Sequence, residues 1–280
     1  LHGETACVTL RDRATNFLCA IGVKDKSAVH VCNFLINLRA PDEVFRYSYT
    51  DGARELIRAC QELKMAHDAT IPGNKKLSAH AERSNGIVIV GGKALLTEAG
   101  LPPPYWTYAV RYFCLCYNVQ PYPGAVDGDN SWRKRFKSDF TGPLLPFGSL
   151  VKYMPPPESR YRAAKTGQNL IVGIYLGYVH KAGGCVGPDS YVIPLRQLEG
   201  LNMITGRTPA GKRPIIEKSD QVYSAILNED APDRTPQFPM KAAFDEAMPK
   251  IKSVTIPGAV PLTSVDAGHV LGKATAPDGQ

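Results

Sequence analysis

The chain has 280 residues, of which 44% are hydrophobic, and it carries 33 Lys and Arg against 26 Asp and Glu. This length and apolar content suffice for one or two domains with a buried core. The net charge of +7 comes entirely from residues 1–200. A polyanion such as a nucleic acid is therefore a candidate partner, although an ordinary basic protein has a similar charge.

The cysteines and the apolar runs exclude several classes of protein. The seven cysteines are Cys7, Cys19, Cys32, Cys60, Cys114, Cys116 and Cys185. Most lie in apolar runs, as buried free thiols do, and neither a CxxC pair nor a His/Cys cluster has the spacing of a structural zinc site. This usage fits a reducing compartment, nuclear or cytoplasmic. No apolar run reaches the roughly 18–20 residues of a membrane span, so no membrane partner is expected.

The N-terminal sequence has the pattern of a β-hairpin followed by a helix. Residues 5–10 and 16–23 are β-rich runs, bridged by the turn-like sequence RDRAT. Residues 26–38 carry apolar side chains at helical spacing, and Ser27 is a suitable N-cap. We therefore predict two antiparallel strands and a helix packed on them.

The next segment predicts a strand, a helix and a second strand. Residues 44–50 form the first strand, which ends at Asp51, residues 53–63 form the helix and residues 65–70 form the second strand. An Asp at the carboxyl end of a strand lies where ligands gather in open α/β sheets. Asp51 is therefore a candidate site residue.

Two further helices are predicted before residue 120. Residues 78–98 have a helical apolar stripe, but a β-branched run at 87–90 is flanked by glycines, each costing about 1 kcal/mol in a helix interior relative to Ala. We therefore expect this helix to be weak or broken. Residues 105–119 form a second helix, aromatic and apolar on one side.

The order of these elements predicts a mixed α/β sheet flanked by helices over residues 1–120. Residues 121–146 have the composition of a linker, and residues 147–200 contain short strands separated by turns, typical of a small β-barrel. Residues 201–280 are rich in Pro and lack periodicity, which predicts a mostly irregular tail. Short elements are expected in that tail near residues 221–227 and 240–248.

Asp51 and Glu82 are the two carboxylates whose positions suit chemistry. A strand-end Asp and a helical Glu brought together can hold Mg²⁺ and serve two-metal phosphoryl transfer. The alternative, which describes most such pairs, is two unrelated surface carboxylates. The surrounding sequence favours the metal-binding interpretation.

A series of different short motifs lies between residues 5 and 180. They are VTLRDRATNFLCAIGVKDKS at 8–27, TDGARELI at 50–57, HDATIPGNKKLSAHAERSN at 67–85, AGLPPPYWTYAVRYFCLCYN at 99–118, PFGSLVKYMPP at 146–156 and IVGIYLGYV at 171–179. In this order they resemble the integrases of retroviruses and retrotransposons, whose core has a ribonuclease H-like fold. Single motifs are moderately specific, whereas the ordered set is strong.

The resemblance implies an activity and a set of site residues. Asp51 matches the second acidic residue of the family and Glu82 the last, so both would be catalytic and would bind Mg²⁺ or Mn²⁺. The family's first catalytic Asp lies one strand upstream of the hairpin, and Asp12 matches a later residue that is not a metal ligand. We therefore expect an incomplete triad and impaired DNA strand transfer.

The resemblance also implies partners and a second module. DNA, both the retroelement ends and the target, would be the substrate, and the active form would be a homo-oligomer. The barrel at residues 147–200 would be SH3-like. Two alternatives stay open, a non-catalytic remnant that binds nucleic acid or other chains, and a metal-dependent nuclease of the same fold.

Two basic clusters are candidate contacts for nucleic acid. Lys75, Lys76 and Arg83 flank the acidic pair, and a solvated charged turn is their alternative role. The basic-aromatic run at residues 132–137 offers three cations to phosphates, and its alternative is a linker that anchors its aromatic residues to the core. The three candidates are Arg133, Lys134 and Arg135, and the fourth cation of the run is Lys137.

His67 lies on the strand that follows the helix after Asp51. It could orient a substrate near the acidic pair, although a packed strand histidine is the commoner role.

Overall fold

The computed structural model describes residues 3–39, 43–50, 53–69, 75–122, 128–161, 169–224, 235–253 and 266–270. For residues 69, 75–81, 250–253 and 266–270 it describes the backbone alone. Within these ranges the chain is a mixed α/β protein with helices packed on its sheets. None of the described helices is both long and apolar enough to cross a membrane, and all seven cysteines are free thiols.

The predicted hairpin is present as strands β1 (Ala6–Asp12) and β2 (Leu18–Val23), which pair antiparallel. The turn between them is closed by Asp12, whose buried carboxylate accepts hydrogen bonds from the Ala14 amide at 3.0 Å and the Thr15 hydroxyl at 2.5 Å. Because an Asp side chain can satisfy the backbone of its own turn, the motif residue Asp12 has a structural role here.

The strand–helix–strand prediction also holds. Helix α1 (Ala28–Leu38) packs on helix α2 (Arg54–Glu62), and strands β3 (Tyr47–Thr50) and β4 (Ala66–Ala69) run parallel on either side of α2 in sequence. Ser27 occupies the N-cap position of α1, but its side chain makes no capping hydrogen bond. Both strands therefore end at the same edge, immediately before residue 51 and residue 70.

Helix α3 (Lys75–Ala99) is continuous, so the expectation of a broken helix was wrong. The reason is its packing against helix α4 (Trp106–Val119). A Cβ atom on Gly91 would lie 2.1 Å from the Phe113 ring, and one on Gly92 would lie 2.8 Å from a Val110 methyl group. Any larger residue at these positions would clash, so the two glycines permit the close approach of α3 and α4.

Helix α4 closes the free edge of β2 with one side chain. The Oδ1 atom of buried Asn118 accepts a hydrogen bond from the Leu18 amide at 2.8 Å, and its Nδ2 atom donates to the Leu18 carbonyl at 2.7 Å. The carboxamide thus satisfies both backbone groups of Leu18, as a neighbouring strand would.

Helix α5 (Ser131–Phe136) lies in the region expected to be a linker. A second sheet follows, with strands in the order β8-β7-β6-β5-β9 and every neighbouring pair antiparallel. Its strands are β5 (Leu150–Tyr153), β6 (Ile171–His180), β7 (Val186–Pro194), β8 (Glu217–Ser219) and β9 (Val222–Ser224). The sheet therefore extends beyond residue 200, into the predicted tail. Strand β9 lies within the short element expected near residues 221–227, whereas β8 was not predicted.

A buried carboxylate fixes this extension. Glu217 on β8 accepts hydrogen bonds from the Tyr153 hydroxyl at 2.7 Å and the Ser159 hydroxyl at 2.5 Å. Because a buried charged group is costly unless it is hydrogen-bonded, these two donors determine where the short strand can dock. Sequence periodicity cannot reveal a strand that depends on such distant partners.

The C-terminal part adds helix α6 (Lys241–Ser253) and strand β10 (Asp266–Val270). Strand β10 pairs parallel with β1 and lies beside β3, without joining the β3–β4 pair by hydrogen bonds. The first 120 residues thus contribute to two separate sheets, where one mixed sheet was predicted. The reason is that β10, from the predicted tail, lies between the two groups of strands.

We predict that Asn118→Ala lowers the free energy of unfolding by about 2 to 4 kcal/mol, because two buried backbone groups of Leu18 lose their partners. Urea unfolding followed by circular dichroism measures the change. Asn37→Ala, an exposed position on α1, is the matched control and should shift stability by no more than about 0.5 kcal/mol. Equal effects of the two substitutions would contradict a special role for Asn118.

Candidate functional site

Helix α3 presents Glu82 and Arg83 side by side at the surface, and both side chains are exposed. The next residue, Ser84, and Val88 one turn further are buried, and Val88 packs with Leu18 of β2. Residues four positions apart share a helix face, so this inward stripe fixes the rotation of α3. It turns the Glu82 carboxylate away from the core.

Three predicted site residues cannot be placed relative to Glu82. Asp51 lies outside the described residues, and Lys75 and Lys76 are described only as the backbone of the first turn of α3. The pairing of Asp51 with Glu82 therefore stays a prediction, as do the phosphate contacts of the two lysines.

Polar side chains of β3 and β4 bind each other along the two strands. Thr50 Oγ1 and His67 Nε2 share a hydrogen bond of 2.6 Å, and the Tyr47 hydroxyl donates to the Asp68 carboxylate at 2.7 Å. This acceptor, followed by partial burial, raises the pKa of Tyr47 to about 12. Burial lowers the pKa of His67 below its ordinary value, so the ring is neutral at pH 7.

His67 is thus a half-buried strand histidine that lies two residue pairs before the carboxyl ends of the strands. Its tie to Thr50 also stiffens the backbone immediately before residue 51. A role in orienting a substrate stays a prediction.

The described residues do not form a complete metal site. Among them, no three His, Cys, Asp or Glu side chains lie close enough together to hold an ion. Asp68, the acidic residue at the end of β4, is already bound by Tyr47. Glu82 alone is a poor site for a hard divalent cation, which prefers several oxygen ligands, so we assign no catalytic step to a metal here.

Helix α5 anchors its aromatic residues to the core. The Trp132 ring is buried, and its centroid lies 4.4 Å from that of Phe136, 5.1 Å from that of Phe140 and 6.5 Å from that of Phe17. The helix is capped by Asn130, whose Oδ1 atom accepts a hydrogen bond from the Arg133 amide at 2.8 Å. This is the anchoring alternative raised by the sequence.

Arg135 belongs to that anchor, which revises its predicted role as a phosphate contact. Its side chain is only 6% exposed, and Nη2 lies 2.9 Å from the Glu43 carboxylate. The same atom donates to the carbonyls of Leu38 at 2.8 Å and Gly183 at 3.3 Å, while the guanidinium lies 4.9 Å from the Phe17 ring. Arg135 is three residues after Trp132, so a helical interpretation of the run would have placed both on one face.

Arg133 and Lys134 remain partly open to solvent. Arg133 binds Asp139 at 2.7 Å, and Lys134 binds Asp129 at 3.1 Å while lying 4.5 Å from the Tyr122 ring. Exposed ion pairs of this kind contribute little to stability and exchange readily. A phosphate group could therefore compete for these two cations, unlike Arg135.

One notable cation was missed at the sequence level. Arg111 is the single charged residue of α4, within WTYAVRYFCLCYNV, and its Nε atom is buried with no hydrogen-bond partner in the part of the chain that the structure describes. A lone charge in an otherwise uncharged helix was the available signal.

Comparison with known proteins identifies a relative. No family model matches the chain. The Retrovirus-related Pol polyprotein from transposon TNT 1-94 of Nicotiana tabacum is 28% identical over 128 residues, which are 45% of this chain and 9% of that protein. The chain is similar to a retrotransposon Pol polyprotein. The resemblance to retroelement proteins expected from the motifs is thereby confirmed, over a small part of the relative's length.

A solved structure with a partial likeness is the cryo-EM structure of the simian T-cell lymphotropic virus intasome in complex with PP2A regulatory subunit B56 gamma. The match covers 79% of this chain and 78% of that chain, at 13% sequence identity and a TM-score of 0.35. No conclusion about function follows from a likeness of this size.

We predict that Arg135→Gln lowers the free energy of unfolding by about 2 to 3 kcal/mol, somewhat less than for a fully buried pair because Glu43 is partly exposed. Lys134→Gln, one residue away and 40% exposed, is the control and should change stability by about 0.5 kcal/mol or less. Thermal and urea unfolding measure both. A neutral Arg135→Gln would argue against the anchoring role.

Proposed function

We propose that this chain is an integrase-type protein of a retrotransposon polyprotein and that it acts on DNA by strand transfer. The observation that carries the proposal is the similarity to a retrotransposon Pol polyprotein over 128 residues, together with the ordered motifs between residues 5 and 180. We further propose that residues 1–120 derive from a ribonuclease H-like core and that the second sheet derives from an SH3-like barrel.

Asp51 and Glu82 would hold Mg²⁺ or Mn²⁺, which in this class of reaction stabilises the charge on the attacking and leaving oxygens. Two features of the chain support their roles. Glu82 is exposed on a helix whose inward face is fixed by Ser84 and Val88, and Asp51 directly follows β3, which is braced by the Thr50–His67 hydrogen bond. Two carboxylates alone would bind the ion weakly, which is consistent with impaired activity.

Metal titration tests this role. We expect isothermal calorimetry to detect Mn²⁺ binding to the full chain and expect Asp51→Asn or Glu82→Gln to abolish it, because each removes a charged oxygen ligand. Glu98→Gln, at another exposed position of α3, is the matched control and should bind Mn²⁺ like the unchanged chain.

Strand transfer is then assayed with an oligonucleotide end and a plasmid target in the presence of Mn²⁺. Joined products that disappear with Glu82→Gln but persist with Glu98→Gln would support the proposal. An unchanged Mn²⁺ affinity in both Asp51→Asn and Glu82→Gln would contradict the proposal that this chain is a metal-dependent enzyme.

Binding of nucleic acid without catalysis is a second candidate function. It is favoured by the exposure of Arg83 next to Glu82 and of Lys93 further along α3, and by the lack of a three-ligand cluster among the described residues. In this case α3 would contact the phosphate backbone, and the carboxylates would be dispensable.

The salt dependence of DNA binding tests this candidate. Each phosphate contact contributes about 0.9 to the slope of log affinity against log salt for duplex DNA, so Arg83→Gln should reduce the slope by about 1. Lys212→Gln, an exposed cation in a turn beyond the second sheet, is the control for the loss of one charge. Equal slopes for Arg83→Gln and the unchanged chain would exclude Arg83 from the interface.

A further inference from the structure

A cavity of about 540 Å³ lies where β2, α1, α4 and the end of β6 meet. This volume falls within the range of pockets that hold small organic ligands, about 300 to 1,000 Å³. Part of its wall is apolar, formed by Ile21 on β2 and by Phe34 and Leu38 on α1. The cavity is distinct from the exposed surface of α3 that carries Glu82.

The charged groups around the cavity are mostly cationic. Lys24, Arg111 and Lys181 line it together with a single carboxylate, that of Glu4. His30 on α1, His180 at the end of β6 and the thiol of Cys19 on β2 complete the set of titratable groups that line the cavity. A partly enclosed cavity with low-dielectric walls concentrates the field of its cations, so this composition favours an anion.

Arg111 supplies the strongest indication of a missing ligand. Its Nε atom is buried and has no hydrogen-bond partner among the described residues. Buried polar groups in proteins are usually hydrogen-bonded, and an exception is explained by strain, by an ordered water or by a bound ion or ligand. Burial, with a further contribution from Arg111, lowers the pKa of His180 to about 4, so its neutral ring can still donate one hydrogen bond.

We propose that this cavity binds a nucleoside phosphate, with its phosphate groups on Arg111 and Lys181 and its nucleoside part against α1. Guanidinium groups suit phosphate because they present several donors in a planar fork. On α1, Asn33 and Asn37 are one turn apart and both line the cavity. The Asn37 amide nitrogen donates to the Asn33 carbonyl at 2.8 Å, and the Asn37 amide oxygen is an acceptor that a ligand donor could use.

A small ligand fits this cavity better than a duplex does. Its walls come from both sheets and from two helices, and the groups that would meet phosphate lie inside it. Duplex DNA is read by surfaces that track an extended backbone. The proposal is therefore independent of whether the chain acts on DNA.

Calorimetric titration of ADP into the full chain, in buffer with EDTA to exclude metal effects, tests the proposal. Arg111→Met keeps an unbranched side chain but removes the guanidinium group, and it should weaken binding about tenfold or more, as expected for the loss of a charge-assisted contact. Lys181→Gln, at an exposed position on the rim, should weaken binding about threefold. Lys212→Gln, an exposed cation that does not line the cavity, should leave the affinity unchanged.

Three outcomes would overturn the proposal. One is the absence of ADP binding to the unchanged chain, and another is equal ADP affinity for the unchanged chain, Arg111→Met and Lys181→Gln. The third concerns DNA. If a DNA duplex competes with ADP, and if Arg111→Met and Lys181→Gln weaken duplex binding as much as ADP binding, the cavity is part of a DNA surface. The nucleoside part of the proposal would be overturned if inorganic pyrophosphate bound as tightly as ADP and adenosine did not compete with ADP.

A folding control keeps the result interpretable. Thermal unfolding should show that Arg111→Met is as stable as the unchanged chain or more stable, because an unsatisfied buried group has been removed. If that variant fails to fold, Lys181→Gln and the NMR shift of the Arg111 Nε–H proton during ADP titration of the unchanged chain decide the question. An Nε–H signal that does not move at saturating ADP would exclude contact with Arg111.

Discussion

The architecture depends on how the edge of β2 is closed. An edge strand exposes unpaired backbone groups, and a buried edge must satisfy them. Here the carboxamide of Asn118 provides both a donor and an acceptor for Leu18, so a helix takes the place of a further strand. Because α4 then runs along the edge of β2, the opposite side of α4 can pack against β6 and the strands beside β6. One buried amide thus determines that the two sheets share a single helix.

The shared helix explains the crowding around it. The Tyr112 ring lies 5.6 Å from that of Tyr175 on β6, and Gly177 on the same strand approaches so closely that a Cβ atom would be 2.7 Å from the Tyr112 ring. Gly177 also has φ of +100°, a conformation that other residues rarely adopt. On the other side of α4, Gly91 makes room for Phe113 in the same way. Bulky aromatic residues on α4 are therefore matched by glycines on its neighbours, and a larger residue at either glycine would force the layers apart.

Local patterns predicted much of the fold, whereas features that depend on distant partners could not be predicted. The hairpin, α1, α2 and α4 follow from apolar spacing within each segment. Taken alone, the glycines of α3 predicted a weak helix. The presence of Gly91 is explained only by Phe113 on α4, whose ring leaves no room for a larger residue there. Likewise, β8 depends on the hydrogen bonds of Glu217 to Tyr153 and Ser159. At the candidate site, the motifs pointed to Glu82 and Arg83. The motifs could not distinguish buried Arg135 from its partly exposed neighbour Lys134, because their exposure depends on the rotation of α5, a helix that was not predicted.

The use of the basic residues limits what the net charge of +7 can imply. Several cations neutralise acidic groups of the same chain: Arg58 with Glu62, Arg133 with Asp139, Lys134 with Asp129, Arg135 with Glu43 and Lys241 with Asp245. These five cations are therefore less available to a polyanion than an unpaired Lys or Arg, although the pairs leave the net charge unchanged. Arg111 makes none of these ion pairs, and its buried Nε atom, like that of Arg135, lacks a hydrogen-bond partner among the described residues. Unlike Arg135, Arg111 lines the cavity, so a small anion there would contact a cation that none of these carboxylates neutralises.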